Sequence, residues 1–193
     1  MLGAGEPRAA RPGDVCVLVE PTGDDVVELG HQQRELQRVF GGRIHEPVHL
    51  TVQRFRLGHG RPRQDLVGYL LAELGALRPF SVVAVSLAQM EHPFWESRLI
   101  RWRVPATADL SAFCEAVEGL LVEREIVPHF PLERGWEPRY VTALEETGAG
   151  ELDRCREELR FPCRLFEAQR VVLSRIEAQR TFRTLGESGL GGR

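Results

Sequence analysis

The sequence predicts a bilobal α+β protein in which two antiparallel sheets form a central cleft and helices cover the outside. Two observations favour this fold. Short β-type runs alternate with amphipathic helical segments along the chain. In addition, EPVHLTVQRF at 46–55 and EPRYVTAL at 137–144 share the pattern Glu-Pro, any residue, ring, aliphatic residue, threonine. This repetition indicates a duplication, with the two runs in equivalent positions of the two halves.

Length and composition predict one folded domain. The chain has 193 residues, of which 42% are hydrophobic and 27% charged, values that are ordinary for a globular protein. We expect a flexible arm at 1–13, a single bilobal domain at 14–186 and a flexible tail at 187–193. Within the domain, pseudo-repeats are expected at roughly 15–90 and 97–176, because the order of elements recurs there.

Charge and residue usage exclude several classes of function. A formal net charge of -3 disfavours a dedicated duplex-binding protein, although it does not exclude a local basic cleft. All 25 cationic residues are arginine, so Schiff-base chemistry, a P-loop lysine and ligation through a lysine adenylate are excluded. A GC-rich genome explains this usage better than phosphate binding by arginine does.

Neither a metal site nor a membrane span is expected. The four cysteines form no C-x-x-C pair and the histidines do not cluster, so we expect no zinc site and no disulfide framework. No segment has the uninterrupted apolar length that a membrane helix needs. We therefore expect a cytoplasmic protein without a zinc site.

The first half predicts the order strand, helix, motif strand, helix, strand. We expect strands at 15–19 and 80–90, the second a central strand that is apolar on both faces. Helices are expected at 24–40 and 65–78, since an aspartate begins each segment and a glycine pair or a proline follows it. A breaker-rich loop is expected at 58–62.

The second half predicts the same order with an added meander. A strand is expected at 98–104 and a helix at 109–125, where apolar residues recur at helical spacing. The second motif strand follows at 139–144, and a short helix is expected at 152–159. Two or three final strands are expected within 165–185.

The two motif strands carry the residues that point to function. Side chains alternate along a strand, so His49 and Thr51 face one way, as do Tyr140 and Thr142. If equivalent strands of the two halves lie side by side, these four side chains meet in the cleft. An imidazole with hydroxyl groups of this spacing predicts a phosphate-binding site.

The runs HLTVQRF at 49–55 and RYVTAL at 139–144 resemble the motifs of the 2H phosphoesterase superfamily. This group contains 2′-5′ RNA ligases and 2′,3′-cyclic phosphodiesterases. The resemblance implies a bilobal fold in which two His-x-Thr/Ser motifs flank one phosphate, with the histidines as base and acid and the hydroxyls on phosphate oxygens. It implies no metal or nucleotide cofactor. His49 and Thr51 match the first motif, whereas Tyr140 replaces the second histidine and Thr142 is retained.

Three hypotheses follow from this departure, because unperturbed tyrosine has a pKa near 10 and is a poor base at neutral pH. The first is a phosphoesterase acting on 2′,3′-cyclic phosphate or 2′-5′ bonds of RNA or nucleotides, with His49 as base and Tyr140 protonating or stabilising the leaving oxygen. The second is an inactive module that binds an RNA end or a phosphorylated nucleotide in the same cleft. The third is an unrelated α+β scaffold that binds a partner.

Further residues are candidates for the site. Arg54, Arg139 and His129 are expected to contact substrate. Any of the histidines outside the motif is a candidate to replace the missing acid from a neighbouring loop, and His129 is favoured because it precedes the second motif strand. Three more arginines are candidate phosphate contacts: Arg56, Arg101 and Arg103. The other histidines are expected mostly at the surface: His31, His45, His59 and His92. The substrate and the oligomeric state are left open by the sequence.

Overall fold

An antiparallel sheet of eight strands organises the molecule. The computed structural model describes residues 10–57, 64–92, 97–132, 139–147, 160–178 and 181–192. The strands are β1 (Asp14–Glu20), β2 (Arg43–Ile44), β3 (Leu50–Arg56), β4 (Phe80–Ala84), β5 (Ser86–His92), β6 (Ser97–Val104), β7 (Arg139–Glu145), β8 (Cys163–Ala168), β9 (Arg170–Ala178) and β10 (Thr181–Gly189). The helices are α1 (Asp24–Phe40), α2 (Gln64–Gly75) and α3 (Ala108–Glu123).

The strand order joins the two halves in one sheet. That order is β10-β9-β1-β3-β7-β6-β5, with β2 beside β7, and a separate two-stranded sheet is made of β4 and β8. The α+β class and the antiparallel strands are therefore confirmed. The strands of the two halves meet where β3 pairs with β7, and the facing residues of that pair are Leu50 and Val141.

One hydrophobic core lies between this sheet and the helices. Side chains from both halves share it, including Phe55 on β3, Trp102 on β6 and Leu121 on α3, each at most 1% exposed. Full burial of a large apolar side chain contributes about 1.5–3 kcal/mol, so the shared core stabilises the halves together. The opposite face of β1 carries a smaller cluster in which Leu18 packs with Val172. Strand β1 is thus apolar on both faces.

The helices begin and end close to the predicted positions. Helix α1 covers the predicted residues 24–40. Helix α3 begins at Ala108 because the Thr107 hydroxyl accepts a hydrogen bond from the Leu110 amide at 3.3 Å and caps the helix. No helix within the described ranges combines the length and the apolar character that crossing a bilayer requires.

The apolar run at 80–90 is two strands, and the prediction of one central strand is wrong. Strand β4 pairs with β8 in the small sheet, whereas β5 pairs with β6 at the edge of the large sheet. Val85 lies between them, 39% exposed, and its amide donates to the Arg103 carbonyl at 3.0 Å. The run divides because its two parts bond to different partners.

The C-terminal region forms three strands, as the predicted meander allows, although β8 pairs with β4 instead of β9. Strand β10 is paired with β9 up to Gly189, so the tail expected at 187–193 overlaps a strand. The end of the expected N-terminal arm is also held, because the Gly13 amide donates to the Ile176 carbonyl at 2.7 Å. The helix expected at 152–159 and the loop expected at 58–62 lie outside the described residues.

Candidate functional site

The two motif strands lie side by side in the sheet. Leu50 and Val141 face each other across β3 and β7, and both are fully buried in the core against the helices. Side chains alternate along a strand, so the residues on either side of this pair face away from the helices. Those residues are His49, Thr51, Tyr140 and Thr142, and all four are partly exposed.

Because β3 pairs with β7, the two repeated motifs are related by a local symmetry. Neighbouring antiparallel strands are related by a local two-fold axis that passes through a facing pair. The axis through Leu50 and Val141 relates His49 to Tyr140 and Thr51 to Thr142. Two hydroxyl groups and two rings therefore occupy related positions on one face of the sheet.

His49 is held with one nitrogen free to accept a proton. Its Nδ1 lies 2.9 Å from the Pro47 carbonyl oxygen. A carbonyl only accepts, so Nδ1 carries the hydrogen of the neutral ring and Nε2 keeps its lone pair. The pKa of His49 is lowered to about 4, chiefly by burial and also by the positive charges of His45 and Arg101, while the Pro47 hydrogen bond opposes this effect. His49 is therefore neutral at physiological pH.

Arg101 places a guanidinium group on the same face. It stands opposite Thr142 where β6 pairs with β7, and facing residues project to the same side of a sheet. Burial lowers the pKa of Arg101, although the charges of Tyr140 and Glu145 oppose this effect. Its buried Nε has no hydrogen-bond partner within the described ranges. A guanidinium with a spare donor is suited to binding phosphate.

A second imidazole lies next to His49. The ring centroids of His45 and His49 are 5.3 Å apart, and the planes are tilted by 57°. The Nδ1 of His45 is 2.7 Å from Oε1 of Glu145, whose side chain is 3% exposed. The expectation that His45 lies at the surface is wrong, because its side chain is only 14% exposed. The sequence contains no local signal for this contact, since the partner is on the second motif strand.

The remaining candidates form a different cluster. Arg54 donates from Nε to Nδ1 of His129 at 3.2 Å, and both side chains lie within 4.0 Å of the buried carboxylate of Asp14. The Arg54 and Arg139 guanidinium groups stack on Phe130, at 5.1 and 5.0 Å from its ring centroid. The imidazole beside His49 is thus that of His45, and the Phe182 ring also contacts His49 edge-on with 5.8 Å between centroids. His129 instead lies against Arg54 and Asp14.

Two other arginines named from the sequence also have defined positions. Arg56 forms an ion pair with Asp14 at 2.9 Å and joins the cluster of Arg54. Arg103 stands opposite Tyr140 where β6 pairs with β7, and it is exposed. Within the described ranges, no three histidine, cysteine or acidic side chains are grouped to hold a metal ion.

Comparison with protein-family models finds no match, and comparison with curated proteins finds none. Solved structures do match over nearly the whole chain. TT0787 of Thermus thermophilus has a TM-score of 0.61 at 16% identity, covering 93% of this chain and 98% of that one. E. coli LigT complexed with NADP+ has a TM-score of 0.58 at 12% identity, covering 94% and 100%. A structure described as a phosphoesterase has a TM-score of 0.57 at 13% identity, covering 94% and 100%. The chain therefore has the fold of these proteins, which is the fold that the resemblance to the 2H phosphoesterase superfamily implied.

Proposed function

We propose that the face carrying His49, Thr51, Tyr140 and Thr142 binds and hydrolyses a phosphate ester. The substrates are 2′,3′-cyclic phosphates or 2′-5′ phosphodiester bonds of RNA or nucleotides. The pairing of Leu50 with Val141 carries this proposal, because it sets the two motifs symmetrically on one face. The E. coli LigT structures contain NADP+ and 3′-AMP, which supports a nucleotide as ligand here.

Each residue of this face has a chemical task in the proposed reaction. His49 is neutral and offers Nε2, so it takes the proton of the attacking water or ribose hydroxyl. The hydroxyls of Thr51 and Thr142 donate hydrogen bonds to the phosphate oxygens. Arg101 balances the negative charge on the phosphoryl oxygens as the new bond to phosphorus forms. Tyr140, related to His49 by the local symmetry, stabilises the leaving oxygen with a hydrogen bond.

The direct test is hydrolysis of 2′,3′-cyclic AMP by the wild-type chain and two single variants. His49→Ala should abolish turnover, because it removes the base, whereas His31→Ala should leave it unchanged. His31 is a matched control, since it lies on α1 and its ring contacts only Arg34 among described partners at hydrogen-bond distance. Equal turnover in both variants would contradict the assignment of the base.

Binding should be independent of metal ions but sensitive to salt. The face supplies hydroxyls, an imidazole and Arg101, which together neutralise a phosphate without a divalent cation. EDTA should therefore leave the dissociation constant for 2′,3′-cyclic AMP unchanged, measured by calorimetric titration. For a short RNA with a cyclic phosphate end, affinity should fall as salt rises, since contacts to phosphate release counterions. Loss of binding with EDTA would argue for a bound metal.

The alternative function is a non-catalytic module that binds the same ligands, and the tyrosine at position 140 favours it. Tyr140→His separates the two functions, because it restores a group that titrates near neutral pH. An active site in which no other group supplies the acid should gain rate, as general acid-base assistance is typically worth about 10² to 10⁴ in rate. If wild type and Tyr140→His both bind 3′-AMP and neither hydrolyses the cyclic phosphate, the binding module is the correct function.

A further inference from the structure

We infer that His45 is the second acid-base residue of this site, where it protonates the leaving oxygen in place of a histidine at position 140. This inference rests on the proposed phosphoesterase function and names a residue outside both repeated motifs. His45 precedes the first motif strand, and it is brought to the site by the pairing of β2 with β7.

The first supporting observation is distance. The His45 and His49 ring centroids are 5.3 Å apart, so both rings lie within reach of one phosphate group. The two side chains also interact electrostatically, because the charge of a protonated His45 contributes to the lowered pKa of His49. A proton is therefore favoured on only one of the two rings at a time, as an acid and a base of one reaction require.

The second observation is the orientation of the His45 ring. Its Nδ1 faces Oε1 of Glu145 at 2.7 Å, and a carboxylate only accepts hydrogen bonds. Nδ1 therefore carries a hydrogen whether the ring is neutral or charged, and Nε2 is the nitrogen that exchanges protons. The negative charge of Glu145 balances the ring when Nε2 is protonated.

The third observation is the rigidity of this part of the chain. The His45 amide donates to the Ala143 carbonyl at 3.0 Å. The buried Gln33 amide group donates to both the His45 and the Ala143 carbonyls at 3.0 Å. Arg43 forms an ion pair with the second oxygen of Glu145, so the carboxylate is fixed from two sides. The ring is thus held in one position without a substrate.

The charged groups around His45 are compatible with this role. Glu145 and Arg43 lie on its β7 side, and the charge of Glu145 also reaches Arg101 on β6. His49 lies on its other side. Glu145 is therefore shared between two arginines and His45, which allows the proton on Nε2 to leave without creating an unpaired buried carboxylate.

The proposed step balances as follows for a 2′,3′-cyclic phosphate. A water oxygen bonds to phosphorus while His49 Nε2 takes one water proton. The bond from phosphorus to one ribose oxygen breaks, and that oxygen takes the proton from His45 Nε2. The product is a phosphomonoester with a free ribose hydroxyl, and the proton on His49 returns to His45 through solvent. Tyr140 contributes a hydrogen bond, since a phenol is a weaker acid than an imidazolium.

The test compares two leaving groups in four variants. The variants are His45→Ala, Glu145→Gln, Tyr140→Phe and the control His31→Ala. A 2′,3′-cyclic nucleotide releases an alkoxide that needs a proton, whereas a 4-nitrophenyl phosphodiester releases a stable phenolate. His45→Ala should lower kcat on the cyclic nucleotide by about 10² to 10⁴ but change the nitrophenyl ester less than about tenfold. Tyr140→Phe should lower kcat by less than about tenfold on both substrates. The loss of kcat on the cyclic nucleotide in Glu145→Gln should lie between the losses in Tyr140→Phe and His45→Ala.

A loss caused only by disturbed structure would affect both substrates equally, so equal losses would overturn the inference. Added imidazole gives a second readout, because it should restore cyclic-nucleotide hydrolysis in His45→Ala and not in His49→Ala. If wild type is active and Tyr140→Phe abolishes that activity while His45→Ala does not, the proposed function stands and this inference is wrong. If wild type hydrolyses neither substrate, the proposed function fails and the inference fails with it.

Discussion

Two neighbouring histidine rings are held by chemically different partners. His49 donates from Nδ1 to a backbone carbonyl, and burial together with the positive charges of His45 and Arg101 disfavours its protonation. His45 has a buried carboxylate at its Nδ1. Different surroundings of two titratable groups are the usual way in which a protein separates a base from an acid. At the scale of residues, the two histidines therefore differ in their hydrogen-bond partners, although their side chains are identical.

The low pKa of His49 predicts the acid limb of the pH profile. A base must be neutral, so activity should be present above the His49 pKa and lost as pH falls through about 4. Arg101→Gln removes one of the charges that lower this pKa and should shift the limb upward. The measurement is kcat/KM for 2′,3′-cyclic AMP from roughly pH 3.5 to 8. This range includes both the lowered pKa of His49 and the ordinary imidazole pKa. A wild-type acid limb near the ordinary imidazole value would contradict this prediction.

The same shift has a consequence for stability. The pKa of His49 is lower in the folded state than the value of about 6.5 in the unfolded chain. Its contribution to stability is therefore present above about pH 6.5 and is lost as pH falls toward 4, since the unfolded chain binds the proton first.

At the scale of elements, one strand holds both histidines in position. Strand β7 pairs with β2 near its end and with β3 nearer its start, so the turn between β2 and β3 lies beside it. His45 and His49 are on the two sides of that turn. The chain passes from α1 into β2 through Gly41 and Gly42, both with positive φ.

Alanine substitutions at these two glycines form a matched pair that tests the role of β7. A Cβ on Gly42 would lie 2.4 Å from the Glu145 carbonyl oxygen, whereas a Cβ on Gly41 meets nothing within 4 Å. Both alanine variants bear the cost of positive φ, about 1–3 kcal/mol. Only Gly42→Ala also displaces the end of β7, so it should lower the free energy of unfolding in urea more than Gly41→Ala does. It should also lower activity, because Glu145 moves. Equal effects of the two variants would contradict this account.

At the scale of the whole molecule, one core connects the halves. The same cluster contains Leu29 of α1 and Leu121 of α3, both fully buried, and the sheet is continuous through β3 and β7. A shared core with a continuous sheet favours all-or-none unfolding.

We therefore expect a single unfolding transition. Far-UV circular dichroism and tryptophan fluorescence should give the same urea midpoint. Leu29→Ala in the first half and Leu121→Ala in the second should each lower the free energy of unfolding by about 2–5 kcal/mol and shift both signals together. Two separate transitions, or a variant that shifts only one signal, would show that the halves unfold independently.

Local patterns in the sequence were sufficient for most of the elements. The aspartates and the glycine pair around α1 predicted its bounds, and β-branched residues predicted β1. The two motif strands were recognised because they repeat, and their adjacency follows from duplication. Strand β4 and strand β5 were predicted as one, because an apolar run does not reveal that its two parts bond to different neighbours.

The sequence by itself determined the α+β class, the α1 and α3 helices, and the motif residues His49, Thr51, Tyr140 and Thr142. These features follow from local periodicity and from a repeat, both of which can be read along the chain. Only the tertiary structure decided that His45 lies beside His49 and that Glu145 holds it. That contact joins residues 100 positions apart. It depends on how β2 and β3 share the edge of β7, which is set by packing of the whole sheet and leaves no periodic signal in the sequence.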